Sequence, residues 1–419
     1  MPIDISNLTS DAENGDIESQ LQLADLYENG FGVTKDRELA AAWYKKAAES
    51  GSAIAQTKLG QMYIKGKAIQ KDFNEAFNWL EKAATQGEAS AQASLAWCYQ
   101  KGMGMEKNIN AAFEWYGRAA KLGHAGARYN LGYMYANGYG IDRDDRKAIE
   151  WYTKAAEQGH SKAQLNAGIM YVQGIGTTID FEEGARYYLA AAKQGYAKAQ
   201  YNLALMYTGG HGVQQNDEEA FHWHTEAAKQ GYHRAQFNLG LLYVHGLGVE
   251  QDYSQALKWF MQAAKQNYGK AYYQLGKMHA AGLGTDVNEI ESAKYFQMAA
   301  ESGYAKAQYR LGRLYDKGQG VECNHAIAAG WYKKAARQGN TRAQYVLGVH
   351  YARGQGVEKN YIKSYAWLLL SLEENDPQYR EILYKVAARM DVEQIDEGKK
   401  LARNIQEEYG ISLKVQVNQ

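Results

Sequence analysis

A period of 36 residues runs through most of the chain and restricts the fold more than any single motif does. Large aromatic residues recur at one phase of this period, namely Trp43, Trp79, Trp115, Trp151, Tyr187, Trp223, Trp259, Tyr295, Trp331 and Trp367. A period of this size is typical of solenoids, in which similar supersecondary units stack along one axis. We therefore divide the chain into an N-terminal segment 1–15, ten repeats over 16–375, a C-terminal segment 376–410 and a tail 411–419.

Each repeat predicts two amphipathic helices, as the fourth one shows. The first helix carries apolar residues at i, i+4, i+7 and i+8, which are Ala127, Leu131, Met134 and Tyr135. The second carries Ala148, Trp151, Tyr152, Ala155 and Ala156. We expect Gly138 to end the first helix in the left-handed conformation, and Gly159 to end the second. Gly132 lies within the first helix, and we interpret it as making room for the tryptophan of the second.

The repeated pattern resembles the Sel1-like repeat, a relative of the tetratricopeptide repeat. It reads Ala-x-x-x-Leu-Gly-x-Met-Tyr-x-x-Gly-x-Gly-Val, followed by Ala-x-x-Trp-Tyr-x-Lys-Ala-Ala-x-x-Gly. The resemblance implies an all-α, right-handed α-solenoid of about ten 36-residue helix-turn-helix repeats, used as a protein-binding scaffold. Ala68 replaces the second loop glycine in the second repeat, and Asn267 replaces the terminal glycine in the seventh.

Both ends of the repeat array predict covering segments. No Lys or Arg precedes Lys35, so the N-terminal segment is either a solvated capping face or a docking site for a basic partner. At the other end, Asp376 and Pro377 predict a helix start, with Asp376 as the N-cap. Asp391 and Gln394 resemble a capping box for a second helix that runs to about Tyr409. We expect these two helices to cover the open end of the solenoid, and residues 411–419 to form an edge strand or a frayed tail.

Composition indicates a cytoplasmic chain. It has 47 basic and 47 acidic residues, a balance that gives no steering toward nucleic acid or anionic membrane. We find no signal peptide and no run of about 18 apolar residues. The two cysteines, Cys98 and Cys323, lie six repeats apart and cannot pair, which suits a reducing compartment.

No motif indicates catalysis, a metal or a cofactor. The Gly-x-Gly loops lack the remainder of a phosphate-binding motif. His222 and His224 are two apart on a helix and point in different directions, so they cannot share a metal ion. Cys98 is expected to be a small buried hydrophobe. We therefore expect a protein that is not an enzyme and takes no cofactor.

What remains is the surface of the first helices, which we expect to line a concave groove. Large apolar residues there are candidate contacts with a partner protein: Trp97, Tyr129, Tyr133, Leu165, Ile169, Tyr201, Leu205, Phe237, Leu241 and Val244. The phase of Tyr129 is either framework or binding surface, whereas the phase of Tyr133 varies more and favours binding.

A basic stripe adds one cation per repeat, at Lys162, Lys198, Arg234, Lys270, Lys306 and Arg342. Further cations nearby are Lys277, Arg313, Lys317 and Arg353. The stripe is either a solvated ridge or a track for an acidic peptide or protein surface, for which Lys270, Lys306 and Arg313 are the leading contacts.

These observations favour a scaffold or adaptor that holds a partner protein in the groove. The alternative is an immunity-type or inhibitory protein that wraps around one bacterial enzyme or toxin and neutralises it. The sequence identifies neither the partner nor the oligomeric state, and the use of the convex face stays open.

Overall fold

The structure, a computed structural model, describes residues 4–373 and 377–411 and consists of two compact units, Met1–Gln215 and Asn216–Gln419. Among the described residues there are helices and connecting turns but no strand. The helices of the first unit are α1 (Ile5–Glu13), α2 (Ile17–Asn29), α3 (Arg37–Glu49), α4 (Ala53–Lys65), α5 (Phe73–Thr85), α6 (Ala89–Lys101), α7 (Ile109–Lys121), α8 (Ala125–Asn137), α9 (Asp145–Glu157), α10 (Ser161–Gln173), α11 (Phe181–Lys193) and α12 (Ala197–Gly209).

The second unit continues the alternation of helices and adds the C-terminal elements. Its α-helices are α13 (Asp217–Lys229), α14 (His233–His245), α15 (Tyr253–Ala264), α16 (Gly269–Ala281), α17 (Glu289–Glu301), α18 (Ala305–Lys317), α19 (His325–Arg337), α20 (Thr341–Arg353), α21 (Tyr361–Leu370), α22 (Pro377–Ala387) and α23 (Val392–Tyr409). A short 3₁₀ helix, Ser371–Glu373, follows α21. From α2 to α21, even-numbered helices are the first and odd-numbered helices the second of each repeat. Within each unit, every helix of the repeats packs against the next one along the chain.

Capping residues set the helix boundaries where the sequence predicts them. Gly138 ends α8 with φ 63°, and its N–H donates to the carbonyl oxygen of Met134. Asp144 then begins α9 by accepting a hydrogen bond from the backbone N–H of Lys147 at 3.0 Å. Gly159 follows α9 with φ 82°. The two exceptions in the sequence keep the same backbone, because Ala68 and Asn267 have φ values of 73° and 59°.

The glycine within the first helix makes room for a residue other than the one predicted. A Cβ atom added at Gly132 would lie 2.7 Å from Cδ1 of Tyr152, which is buried. Trp151 is only half-buried, and the Nζ of Lys154 lies 4.7 Å from the centroid of its ring. The prediction for the tryptophan was therefore wrong, since the adjacent Tyr152 fills the contact between the two helices.

Consecutive repeats are joined by a buried side-chain amide that recurs along the chain. The Nε2 of Gln164 in α10 donates to the carbonyl oxygen of Ala156 in α9, at 3.1 Å. We call the residues that make this bond to the carbonyl eight positions earlier the junction glutamines; they are Gln20, Gln56, Gln92, Gln164, Gln200, Gln236, Gln308 and Gln344. Arg128 replaces the amide once, with its Nε 3.1 Å from the carbonyl oxygen of Ala120. The bond satisfies a carbonyl that the end of the second helix leaves unpaired.

The N-terminal segment contains a helix that the sequence analysis did not predict. Asp4 is the N-cap of α1, and its carboxylate accepts from the backbone N–H groups of Ser6 and Asn7. The buried Ala12 on α1 receives the junction bond of Gln20 at 2.9 Å. Helix α1 thus contacts α2 in the way that the second helix of a repeat contacts the next repeat.

At the C-terminus, α22 and α23 pack against α21. Asp391 and Gln394 form the predicted capping box, and α23 ends at Tyr409 before Gly410, which has φ 64°. Leu383 and Val386 of α22 are buried in this contact. The predicted N-cap Asp376 and the predicted tail from Ser412 onward lie outside the described residues.

Candidate protein-interaction surface

The first helices present two kinds of large side chain on the same face. In α8, Tyr129 is half-buried and stacks on His160 with ring centroids 4.7 Å apart. Tyr133, one turn later, is 43% exposed. Residues at the phase of Tyr129 therefore take part in packing between repeats, while the phase of Tyr133 is free to vary. We call the surface at these two phases the first-helix face.

Residues at the phase of Tyr129 follow this description in other repeats. Phe237 lies 5.6 Å from Phe260 and 5.4 Å from Tyr268, measured between ring centroids. Tyr201 is half-buried. Leu165 is only 4% exposed. Leu165 therefore agrees with the framework alternative for this phase, since its side chain belongs to the core of the first unit.

At the phase of Tyr133, exposure differs between repeats. Leu205 is 40% exposed. Trp97 is half-buried because it packs against the cores of the second and third repeats. Ile169 and Leu241 are also half-buried. Tyr133 and Leu205 are thus the largest apolar contributions of this phase to the solvent-facing surface.

Depressions next to these residues bring some of the predicted contacts together in the first unit. One, of about 460 Å³, is lined by Tyr129 and Tyr133 together with Gln100 and Lys101. A second, of about 450 Å³, is lined among others by Ile169, Leu205, Phe181 and Lys198.

Sequence reasoning missed Phe181, which is 38% exposed, and His211, which also lines the second depression. Both lie outside the first helices, on α11 and in the loop after α12. Their rings contact each other, with centroids 5.4 Å apart. The periodic signal that identified the first-helix face contains no information about these positions.

Predicted cations gather at one place in the second unit. Lys306 and Arg313 of α18 line a depression of about 570 Å³, together with Arg310, Tyr309 and Arg342. The sequence analysis named Arg342 as part of the stripe but missed Arg310. Lys270 is exposed on α16 and does not line this depression.

A polar cluster around Asp316, at the C-terminal end of α18, was also not predicted. Both oxygens of Asp316 are engaged: Oδ1 lies 2.9 Å from Nδ1 of His325, and Oδ2 lies 3.1 Å from Nε2 of His350. The hydroxyl of Tyr332 donates to Oδ2 at 2.8 Å. The thiol of Cys323 donates to the backbone carbonyl of Asp316, with Sγ and O 3.4 Å apart. Asp316 is therefore fully occupied by neighbours within its own repeat and the next.

The remaining candidates for chemistry are separate from one another. Within residues 4–373 and 377–411, no group of three or more His, Cys, Asp or Glu side chains could hold a metal ion. Burial raises the pKa of the Cys98 thiol to about 11, which keeps this side chain protonated. On α13, His222 is exposed and His224 is buried. No helix in the described part of the chain is long and apolar enough to span a membrane.

Stacked helix pairs joined at recurring junctions define the chain as a helical-repeat protein of the solenoid class. A family model for the Sel1 repeat matches ten consecutive segments, at residues 17–52, 53–88, 89–124, 125–160, 161–196, 197–232, 233–268, 269–304, 305–340 and 341–376. The chain belongs to the Sel1 repeat family.

Solved structures of related proteins agree with this assignment. The chain is similar to a protective antigen present in uropathogenic Escherichia coli strains, with 30% identity, a TM-score of 0.84, and coverage of 100% of this chain and 99% of that one. It is also similar to a Sel1 repeat protein from Oxalobacter formigenes, with 35% identity, a TM-score of 0.63, and coverage of 74% and 89%. A search of curated proteins found no match.

Proposed function

We propose that the chain is a non-enzymatic scaffold that binds a partner protein on its first-helix face. The observation that carries the proposal is the exposure of Tyr133 and Leu205, each beside a depression, at a phase whose residue type varies between repeats. Large apolar side chains held on rigid helices are the usual anchors of protein interfaces. The other proposed contacts at this phase are Trp97, Ile169 and Leu241. At the neighbouring phase, we propose that Tyr129, Tyr201 and Phe237 hold these contacts in position through their packing between repeats.

Cations on the first helices of the second unit are a further proposed contact surface. Lys270 and Lys306 are exposed, and Arg313 is half-buried. Charged groups at the edge of an interface act mainly on the association rate and on partner choice. We place the interaction in the cytoplasm, because Cys98 and Cys323 are both free thiols, as expected in a reducing compartment.

The proposal is tested by purifying the tagged full chain from its native cells and quantifying the proteins recovered with it. Replacing both Tyr133 and Leu205 with alanine should reduce recovery of the partner about tenfold or more, because truncated anchor residues typically cost at least 1–2 kcal/mol each.

The matched control replaces Leu122 and Ile179 with alanine, since both are exposed apolar residues of the same unit outside the first helices. Equal recovery by the two double variants, both folded by circular dichroism, would show that the first-helix face is not the binding surface. If the recovered partner is an enzyme that loses activity when bound, the scaffold is an inhibitor of the immunity type.

A further inference from the structure

Three cations lie on one face of α18 and face a fourth on α20. Lys306, Arg310 and Arg313 occupy positions i, i+4 and i+7 of α18, which places them on the same side of the helix. Arg342 lies in the first turn of α20, and all four line the depression of about 570 Å³ together with Tyr273 and Tyr309. We call this depression the basic cavity.

Arginine at position 310 departs from the repeat for a reason visible in the preceding helix. At the same phase, the side chains of Asn166 and Asn202 interact with the hydroxyls of the buried Tyr152 and Tyr188. In α17 the corresponding buried residue is Phe296, which has no hydroxyl to satisfy. The residue at position 310 therefore has no tyrosine hydroxyl to interact with. The Arg310 guanidinium lies 5.7 Å from the centroid of the Phe296 ring.

Arginine at position 313 is also a departure from the repeat. The same phase carries the apolar residues Tyr133, Ile169, Leu205 and Leu241 in four earlier repeats, and the basic Lys277 in the repeat directly before. In α18 the side chain at this phase, Arg313, is half-buried and lines the cavity. Two adjacent departures toward arginine on one helix face indicate a local requirement for positive charge.

The basic cavity has no counter-charge of its own. Within the described residues, none of Lys306, Arg310, Arg313 and Arg342 forms an ion pair. The one carboxylate on α18, Asp316, is occupied by His325, His350 and Tyr332. Four neighbouring cations in a concave surface repel one another and raise the local concentration of anions.

A row of cations continues from the cavity along the second unit. The second residue of each first helix is basic and exposed, at Arg234, Lys270, Lys306 and Arg342. A peptide in the polyproline II conformation advances about 3.1 Å per residue with three residues per turn, so every third side chain points to the same side. An acidic residue at every third position of such a segment would therefore present a row of carboxylates, about 9 Å apart, to this row of cations, which a single small anion would not do.

We propose that the basic cavity binds an acidic segment of the partner protein, with at least two carboxylates inside the cavity. The arginines donate to these carboxylates, and the exposed lysines add attraction along the segment. The proposal deepens the proposed function, on which it rests, by giving the chemistry of the segment that the second unit recognises.

The test uses the full-length chain and a fluorescein-labelled peptide of twelve residues with glutamate at every third position. The glutamine version of the same peptide removes the charge and keeps the shape. Fluorescence anisotropy should show that the glutamate peptide binds and the glutamine peptide does not. The affinity for the glutamate peptide should fall as salt is added. The R310Q/R313Q double variant should weaken binding about tenfold or more.

These substitutions suit the fold, because glutamine already occurs at both phases, as Gln274 and Gln61. The matched control K258Q/K333Q removes two exposed cations of second helices in the same unit, outside the cavity, and should change the Kd less than about twofold. Equal weakening by both double variants, or equal binding of the glutamine peptide, would overturn the proposal. So would tighter binding of a single-stranded oligonucleotide or of polyphosphate.

Failure of this proposal is separable from failure of the proposed function. The peptide measurement needs no native partner, and the variants of Tyr133 and Leu205 should leave the peptide affinity unchanged. If those variants lose the native partner and the peptide does not bind, the scaffold proposal stands and the acidic-segment proposal fails. If the peptide binds but the variants of Tyr133 and Leu205 recover the partner as well as wild type does, the acidic-segment proposal stands and the first-helix face is not the binding surface.

Discussion

Gly132 in α8 and Gly117 in α7 are both helical glycines, and their surroundings predict opposite effects of the same substitution. A Cβ at Gly132 would collide with the buried ring of Tyr152, whereas a Cβ at Gly117 would have no atom within 4 Å. We expect Gly132→Ala to destabilise the protein by about 1–3 kcal/mol, because overpacking outweighs the gain in helix propensity. Urea denaturation followed by circular dichroism measures the change.

Gly117→Ala is the matched control in the same unit. It should stabilise the protein by about 0.5–1 kcal/mol, because alanine reduces the entropy of the unfolded chain without a clash. A stabilising effect of Gly132→Ala would show that the helices separate easily and that the tight contact with Tyr152 is not needed.

His224 on α13 takes the phase that Tyr152 and Tyr188 occupy in earlier repeats, and it predicts a pH dependence. Burial lowers the pKa of His224 to about 4, whereas an unfolded histidine titrates near pH 6.5. Between these values the unfolded chain binds a proton that the folded chain does not, so stability falls as pH decreases from about 6.5 to about 4. We expect this residue to account for about 1–3 kcal/mol of the loss.

Replacing His224 with tyrosine should remove that part of the slope, because tyrosine stays neutral over this range. Asn238 lies next to the ring, with its Nδ2 3.5 Å from Nε2 of His224, as Asn202 does for Tyr188. Thermal midpoints measured at half-unit steps from pH 4 to 7 would compare this variant with wild type and with a glutamine variant of the exposed His222. An unchanged slope in the tyrosine variant would rule out His224 as the cause.

The wrong prediction of the residue that contacts Gly132 concerned two neighbours in sequence. Trp151 and Tyr152 are both large and apolar, and adjacent helical positions differ by about 100° around the axis. The apolar stripe of α9 is wide enough to include both residues, so periodicity alone does not decide which one faces α8. The contact with Gly132 decides it, and that contact is visible only when both helices are placed.

At the scale of elements, the junction glutamines determine how one repeat meets the next. Gln164 donates to Ala156 and accepts from the Nε2 of Gln194 at 2.8 Å. Replacing Gln164 with leucine leaves the carbonyl of Ala156 and the amide of Gln194 without this partner. We expect a loss of about 1–3 kcal/mol, since buried polar groups that lose a hydrogen bond carry their full desolvation cost.

Amide hydrogen exchange should localise this effect to α9, α10 and α11. The control is leucine at Gln173, an exposed glutamine on the same helix. Equal protection in the two variants would indicate that apolar packing, rather than the amide, holds the junction together.

Helices of the repeats could be predicted from the sequence because glycines, N-caps and apolar periodicity agree at each boundary. Helix α1 could not be predicted in the same way. It occurs once and carries few apolar residues, among them Ile5, Leu8 and Ala12. The resemblance of Gln20 to the later junction glutamines was a usable signal, since its bond to Ala12 requires a helix at that place.

At the scale of the whole molecule, the repeat determined the fold and left the function to the positions that the repeat does not constrain. Tyr133 and Leu205 could be predicted as surface residues, because their phase varies along the chain. The basic cavity could be predicted only in part. Arg310 is explained by the absence of a hydroxyl on Phe296 in the preceding helix. This relation joins two different positions of the repeat, so comparing one position across repeats does not reveal it.

The recurrence of the junction glutamines also bears on how such a chain changes over generations. If residues 161–196 were lost, His160 would be followed by Ala197, and Gln200 would stand eight positions after Ala156, the same spacing as Gln164. The new junction would be chemically equivalent to the old one. Duplication or loss of a whole unit in the gene therefore changes the length of the array without requiring a compensating substitution at the junction.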